Sequence, residues 1–335
     1  MITFAPGLTG IHQELLANRD KITAAVRPAI EVACGENTQL CGAASILVDA
    51  DPSQESVFRL LPFAFVGRDV TPPLLVGVIS RVWWAGAETF DDLTDRSFAA
   101  DALGLSHTEA LLTSTACITL LPLAILRGHD LPSALEVGLS RELTDSSLHA
   151  ANGQLDDVSG SSDSPLWPRV ARSYVGKSGA PYGRDLAMTA LLNGEGPGEV
   201  RAWRLFGQLF GMLRQMANDR YGLSAPDNED FRNGTRTLLL ANAADYLPAA
   251  ERADLISFHA QARHCADARQ ALLQRLTSAA VAATYDGRVR AVHEKLSVLL
   301  SQLLVPSDRR DLAQWMITSS AVAASLGSPE AAGAH

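Results

Sequence analysis

Phe90-Asp91-Asp92-Leu93-Thr94-Asp95 closes an apolar stretch that begins at Pro73 and carries Trp83 and Trp84. Apolar residues recur at three- and four-residue spacing over residues 74–90, which predicts a buried helix running into the acidic cluster. On such a helix Asp91 and Asp95 lie one turn apart on one face, with Asp92 about 100° around. Three carboxylates at the end of a buried helix repel one another and lose hydration. Arg96, the basic residue beside them, cannot neutralise all three. A divalent cation can, and Mg²⁺ is typically held by one or two carboxylates together with substrate phosphates and water. A solvated acidic helix end is the commoner meaning of an isolated DDxxD; the apolar, aromatic approach favours the metal. Removing one of these carboxylates relieves repulsion, so the metal-free fold is expected to be no less stable without it.

Outward from this helix the same spacing recurs over residues 57–66, 109–126, 186–192, 200–216 and 289–304. Turn-rich breaks fall at 156–168, 193–199 and 222–234. No stretch alternates apolar and polar residues for long enough to claim a strand. The chain has 335 residues, 47% hydrophobic and 19% charged, enough for a substantial core. The reading is one all-α domain over residues 1–326, with a small polar tail, 327–335, that is expected to fray. A net charge of −9 without a basic stripe argues against nucleic-acid binding. The longest apolar run ends at Leu121, before Pro122, well short of the ~20 residues of a membrane span. Cys34, Cys41, Cys117 and Cys265 show no metal-type pairing, and residues 1–6 lack the parts of a signal peptide; reduced thiols in a cytoplasmic protein are expected.

Two weaker fragments accompany the acidic cluster. One is an apolar helix from Trp203 to Gly211, followed by Gln215, Asn218 and Asp219. Gly207, Gly211 and Asn218 project close to one face, so the helix is thin where it would line a cavity; close helix–helix contact is the competing meaning. The other is Tyr174-Val175-Gly176-Lys177-Ser178-Gly179-Ala180, whose Lys and Ser suit a phosphate, although a surface Lys beside a turn is the default.

In their order these pieces resemble the trans-isoprenyl diphosphate synthases and the class I terpene synthases that share their all-α fold. The resemblance covers residues 27–240. Asp91-Asp92-Leu93-Thr94-Asp95 matches the first aspartate-rich motif, Gly153-Gln154-Leu155-Asp156-Asp157 the GQxxD segment, and Lys177-Ser178 the Lys-Thr pair. The stretch from Gln215 to Gly222 aligns with the second aspartate-rich motif, and Asp230 to Leu238 with D-x-x-x-G-K-x-T-L. What the resemblance implies is a helical bundle around a central cavity in which Mg²⁺ grips an allylic prenyl diphosphate. Asp91 and Asp95 would be the principal metal ligands, with Asp92, Asn218 and Asp219 assisting. Lys177, Ser178, Gln215, Arg27 and Arg236 would contact diphosphate. Trp84, Ala87, Phe90, Trp203, Phe206, Gly207 and Gly211 would line the prenyl pocket, where rings stabilise a cation through their faces. In the family the residues four and five places before the first Asp set chain depth. Here they are the small Ala87 and Gly86, with Trp84 as a floor about 10 Å down the helix, which suits a farnesyl or geranylgeranyl chain. Family members are often homodimers.

Four departures choose the branch. The second motif reads Asn218-Asp219-Arg220-Tyr221-Gly222, with two carboxylates missing, and Gly222 and Pro226 stand where cyclases need Ser or Thr and Glu. The Arg pair after the first motif is a single Arg96. G-K-R-x-R-P becomes Thr23-Ala24-Ala25-Val26-Arg27-Pro28, and the late Lys is Thr235, with Arg236 beside it. These losses fall mainly on the groups that would bind isopentenyl diphosphate. The expected function is therefore a class I terpene synthase. The alternatives are a prenyltransferase, elongating or acting on another acceptor, and a non-catalytic subunit of a heteromeric synthase.

Overall fold

The structure, a computed structural model, describes residues 9–51, 56–62, 71–94, 100–159, 167–223 and 229–327. Apart from Gly327, the tail expected to fray lies outside them. Every regular element among the described residues is helical, as the apolar spacing predicts. The first half runs α1 (Thr9–Cys34), α2 (Thr38–Ala50), a 3₁₀ turn (Val57–Leu60), α3 (Thr71–Thr94), α4 (His107–Arg127) and α5 (Ser133–Ser159). Then come α6 (Trp167–Tyr174), a π-helical turn (Val175–Gly179), α7 (Ala180–Leu192) and α8 (Pro197–Gly222). Six more close the bundle: α9 (Glu229–Asn233), α10 (Leu238–Tyr246), α11 (Ala249–Ala262), α12 (Ala266–Leu276), α13 (Ala279–Leu303) and α14 (Asp308–Ala324).

Local chemistry sets several ends. Ser106 and Glu109 close a reciprocal capping box at the start of α4, and the Thr237 hydroxyl accepts from Leu240 N at the start of α10. The helix expected over 57–66 opens as a 3₁₀ turn at Val57–Leu60 and passes into α-helix at Leu61 and Pro62, the last residues described there; its apolar spacing buries Val57, Phe58, Leu60 and Leu61. One continuous apolar cluster runs from Leu15 to Ala324, with Ile79, Leu126, Leu186, Phe206 and Phe210 wholly buried at its centre. Helix α3 packs along α4, and α7 along α8. Gly86 makes the first of these contacts possible, since a Cβ there would stand 2.6 Å from Cys117 Cβ. Among the described helices α4 alone is long and apolar enough by length and composition to cross a membrane, and half of its apolar window is buried inside the bundle. The four cysteines are free thiols.

Candidate active site

Helix α3 delivers Asp91 to a group of polar side chains at one end of the bundle. Gln154 Nε2, from α5, donates to Asp91 Oδ1 at 2.7 Å. Lys177 Nζ stands 3.3 Å from Asp91 Oδ2 and 3.1 Å from Asp157 Oδ2. Burial alone would lower the Lys177 pKa, but the two carboxylates outweigh it and the ammonium is held above its ordinary range. The π-helical turn aims this lysine, and such single-turn insertions are frequent at functional sites. It is pressed directly on α5: a Cβ on Gly153 would meet Lys177 N at 2.4 Å, and Gly176 would collide with His149 O at 2.7 Å. The Ser173 hydroxyl ties the same crossing by donating to Gly153 O at 2.8 Å. Asp92 is on the exposed side of α3. Asp95, Arg96 and Pro226 lie outside the described residues.

The second acidic segment is built differently from its expected form. Asn218 is exposed, whereas Asp219 is buried. Both oxygens of Asp219 are engaged: Gln215 Nε2 donates to Oδ1 at 3.1 Å and the Tyr174 hydroxyl to Oδ2 at 2.5 Å. Leu238 N donates in turn to the Tyr174 oxygen at 3.3 Å. Gln215 also accepts from Ser178 Oγ at 2.9 Å, so Ser178 and Gln215 do come together. Burial, reinforced by their mutual repulsion, raises the pKa of Asp219; Asp230 is likewise raised by burial, against the pull of Lys177.

Several other expected residues take different places. Gly207 and Gly211 line no opening, because a Cβ on either would strike the facing backbone, at 2.4 Å from Tyr182 O and 2.3 Å from Ser178 O respectively. Trp203 and Phe206 pack edge to face at 6.3 Å and are buried in the core. Gly86 is used in the α3–α4 contact already described. Ala87 and Phe90 remain half-buried on α3. Arg27 pairs with Asp49 at 2.5 Å on the outer α1–α2 surface, each side chain 60% exposed, and does not turn to the site. Arg236 lies near Asp157, with Arg169 and Arg263 about it; burial and these two cations lower its pKa against the attraction of Asp157.

The wall beneath Asp91 is charged, which the sequence pattern did not signal. Arg59 lies 4.1 Å over the Trp84 ring, donates to Glu88 Oε1 at 2.8 Å and stands 3.6 Å from Asp51. Glu88 is one turn before Asp91, and burial raises its pKa against the pull of Arg59. Trp84 also packs on Tyr182 at 5.6 Å, and Tyr182 on Phe210 at 5.5 Å. Arg214 lies 3.9 Å over Phe58. The Tyr182 hydroxyl senses Arg59, Arg214, Asp185 and Glu88, so these groups gather around one region, with Glu88, its side chain 47% exposed, at its open edge.

No family model matches the chain and no curated protein matches it. Solved structures do. The geranylgeranyl pyrophosphate synthetase of Pyrococcus horikoshii Ot3 superposes with a TM-score of 0.75 at 15% identity, over 92% of this chain and 98% of that one. The decaprenyl diphosphate synthase of Rhodobacter capsulatus gives 0.74 at 14%, over 93% and 98%. The chain has the isoprenyl diphosphate synthase fold. A third neighbour, the geranylgeranyl pyrophosphate synthase of Corynebacterium glutamicum, is complexed with isoprenyl diphosphate and magnesium; it gives 0.73 at 16%, over 92% and 98%.

An isoprenyl synthase fold raises the question of whether these residues suit Mg²⁺. Among the described residues no group of three or more His, Cys, Asp or Glu converges as a preformed cage. Asp91 and Asp92 at the end of α3 nevertheless fit an ion that takes one or two carboxylates and completes its shell with phosphate oxygens and water. In the second segment Asn218 is exposed and offers only a neutral amide oxygen, and Asp219 would have to surrender two hydrogen bonds to take an ion.

Proposed function

We propose that the protein is a Mg²⁺-dependent prenyltransferase that ionises an allylic prenyl diphosphate and passes the prenyl group to an acceptor. The observation that carries this reading is the convergence of Lys177, Asp91 and Gln154 at one end of an isoprenyl synthase fold. Asp91 and Asp92 would hold Mg²⁺, which when bound neutralises charge on the departing diphosphate. Lys177 can turn from Asp91 toward a phosphate oxygen while Gln154 keeps the carboxylate oriented. The Ser178–Gln215 pair offers further polar contact beside it. Fixed charges of this kind, set where negative charge develops, need no reorganisation as the C–O bond breaks. A farnesyl or geranylgeranyl chain is the proposed substrate.

Cyclisation is the second reading, favoured by Arg27, whose charge is paired with Asp49 and so is not held free for an acceptor diphosphate. The charged wall weighs against it. A hydrocarbon that folds on itself needs an apolar contour, and Glu88, Arg59 and Arg214 interrupt that contour beneath Asp91. A second copy of the chain is proposed to cover the exposed apolar stripe of Val137, Leu148 and Leu155 on α5, beside Leu112 and Leu120 of α4.

Product analysis with geranyl, farnesyl and geranylgeranyl diphosphates, each with and without isopentenyl diphosphate, tests the reading. Turnover that requires a second substrate supports transfer. Equal consumption of the allylic diphosphate alone, giving hydrocarbon or alcohol products, returns the protein to the cyclases.

A further inference from the structure

Arg214 stands one residue before Gln215 on α8 and so points about 100° away from it around the helix. Its guanidinium lies over Phe58, and its hydrogen-bond partner is the Tyr182 hydroxyl. Among the described residues no carboxylate stands within ion-pair reach of it; the full charge it senses is that of Arg59, which repels it. Arg59, by contrast, has opposing charges in Glu88 at 2.8 Å and Asp51 at 3.6 Å. Arg214 is therefore the spare cation of the region around which Tyr182, Arg59 and Glu88 gather. Burial, with Arg59 adding to it, lowers the Arg214 pKa below the usual guanidinium range, and the Tyr182 hydroxyl offsets this in part.

Withdrawing a cation from water without an opposing charge is costly. A protein that keeps such a group between helices, with one face on an aromatic ring and a phenol at its edge, holds a preformed half of an ion pair. The guanidinium fork matches the geometry of phosphate and carboxylate oxygens. We infer that Arg214, with the Tyr182 hydroxyl beside it, is an oxyanion subsite that receives the anionic group of the acceptor. The acceptor role rests on prenyl transfer being the activity; the subsite itself does not. The site also relocates the missing acceptor cations, from Arg27 and the segment after Asp92 to the inner face of α8.

Calorimetric titration of the full chain with inorganic pyrophosphate in EDTA tests this subsite. Lys177, and Arg236 with Arg169 and Arg263 about it, also attract the probe without metal, so the subsite is read from the part of the binding that depends on Arg214. Wild type is expected to bind, and Arg214→Gln to bind at least roughly tenfold more weakly, the effect of losing a charge-assisted hydrogen bond. Arg214→Lys should stay within several-fold of wild type, and Arg201→Gln, on the exposed side of α8, should be unchanged. Parallel titrations with inorganic phosphate and benzoate identify the oxyanion class by the tightest ligand. Undiminished affinity in Arg214→Gln, or no metal-free binding by wild type, overturns the subsite. Should Arg214→Gln fail to fold by circular dichroism, Tyr182→Phe carries the test: a several-fold loss supports the site and an unchanged affinity overturns it. Arg214-dependent binding by a chain that consumes no allylic diphosphate with Mg²⁺ would remove the transfer reading and leave the subsite standing.

Discussion

Lys177 and Asp91, 86 residues apart in the chain, form an ion pair at 3.3 Å in which Asp157 shares the ammonium. One cation thus holds together two carboxylates that would otherwise repel. Lys177→Gln is expected to lower turnover by about a hundredfold or more, since it removes both a diphosphate contact and the group that orients Asp91. The pair is partly exposed, so the loss of stability should be about 1–2 kcal/mol, below the 3–5 kcal/mol of a fully buried pair. Steady-state kinetics beside urea denaturation separates the two effects. A variant with wild-type kcat would exclude Lys177 from the chemistry.

Asp91→Ala should abolish Mg²⁺-dependent turnover, and it should also cost stability. The acidic motif read alone suggests relief of repulsion. In the fold, however, Asp91 accepts from Gln154 at 2.7 Å and faces Lys177, so its removal strands a donor and a cation. A destabilisation of about 1–2 kcal/mol is expected, and Asp91→Asn should recover part of it while remaining inactive. A variant more stable than wild type would show that the carboxylate is strained in place.

Gly211→Ala decides between a cavity and a helix contact. An alanine on an open helix face would gain about 1 kcal/mol over glycine. Here its Cβ would stand 2.3 Å from Ser178 O and 2.8 Å from Gly179 Cα, so a loss of about 1–3 kcal/mol is expected in urea melts. Because the displaced segment carries Ser178 and Lys177, KM for the allylic diphosphate should rise as well. An unchanged melting curve would restore Gly211 to the cavity wall.

Asp219 and Asp230 tie stability to pH. Both carboxyls have pKa values raised in the folded chain, by burial first and then by neighbouring carboxylates. The folded state therefore keeps protons that the unfolded chain releases above about pH 4. Their contribution is present in full below that point and is lost as pH climbs through the raised folded values. His259, whose pKa burial lowers, acts in the opposite sense below about pH 6.5, so the informative quantity is a difference. Relative to Asp230→Asn, metal-free wild type should lose denaturant resistance between pH 5 and pH 8. Parallel profiles for the two proteins would mean that these carboxyls are ionised throughout.

The all-helical architecture was legible because apolar spacing is a property of each segment alone. The place of Asp91 and the Ser178–Gln215 partnership follow from the order of the motifs. What escaped depends on the facing element. Gly207 and Gly211 announce a thin helix face, but whether a void or a backbone meets it is decided by α7 and the π-helical turn. Asn218 and Asp219 differ by one step of about 100°, and that step leaves the first exposed and buries the second. Arg59, Glu88 and Arg214 belong to no recognisable spacing. The available signal was a single charge inside an otherwise apolar helical run, as Arg214 is among Phe210, Met212, Leu213 and Met216, and its partner could come only from the fold.

The π-helical turn from Val175 to Gly179 also makes this region intolerant of length changes. A π turn holds one residue more than an α turn, so deleting Gly176 would let the segment relax into continuous α-helix. Five residues of π turn cover about the same rotation as four of α-helix, so α6 and α7 would keep their relative faces. Tyr174 would stay with Asp219, but the crossing with Gly153 would lose its matching small residue. Lys177 would lose the platform that presents it to Asp91. A one-codon loss would therefore unseat the lysine while leaving the Tyr174–Asp219 half of the site standing. Surviving sequence variants should therefore conserve the spacing between Tyr174 and Lys177 more strictly than the identity of Val175 between them.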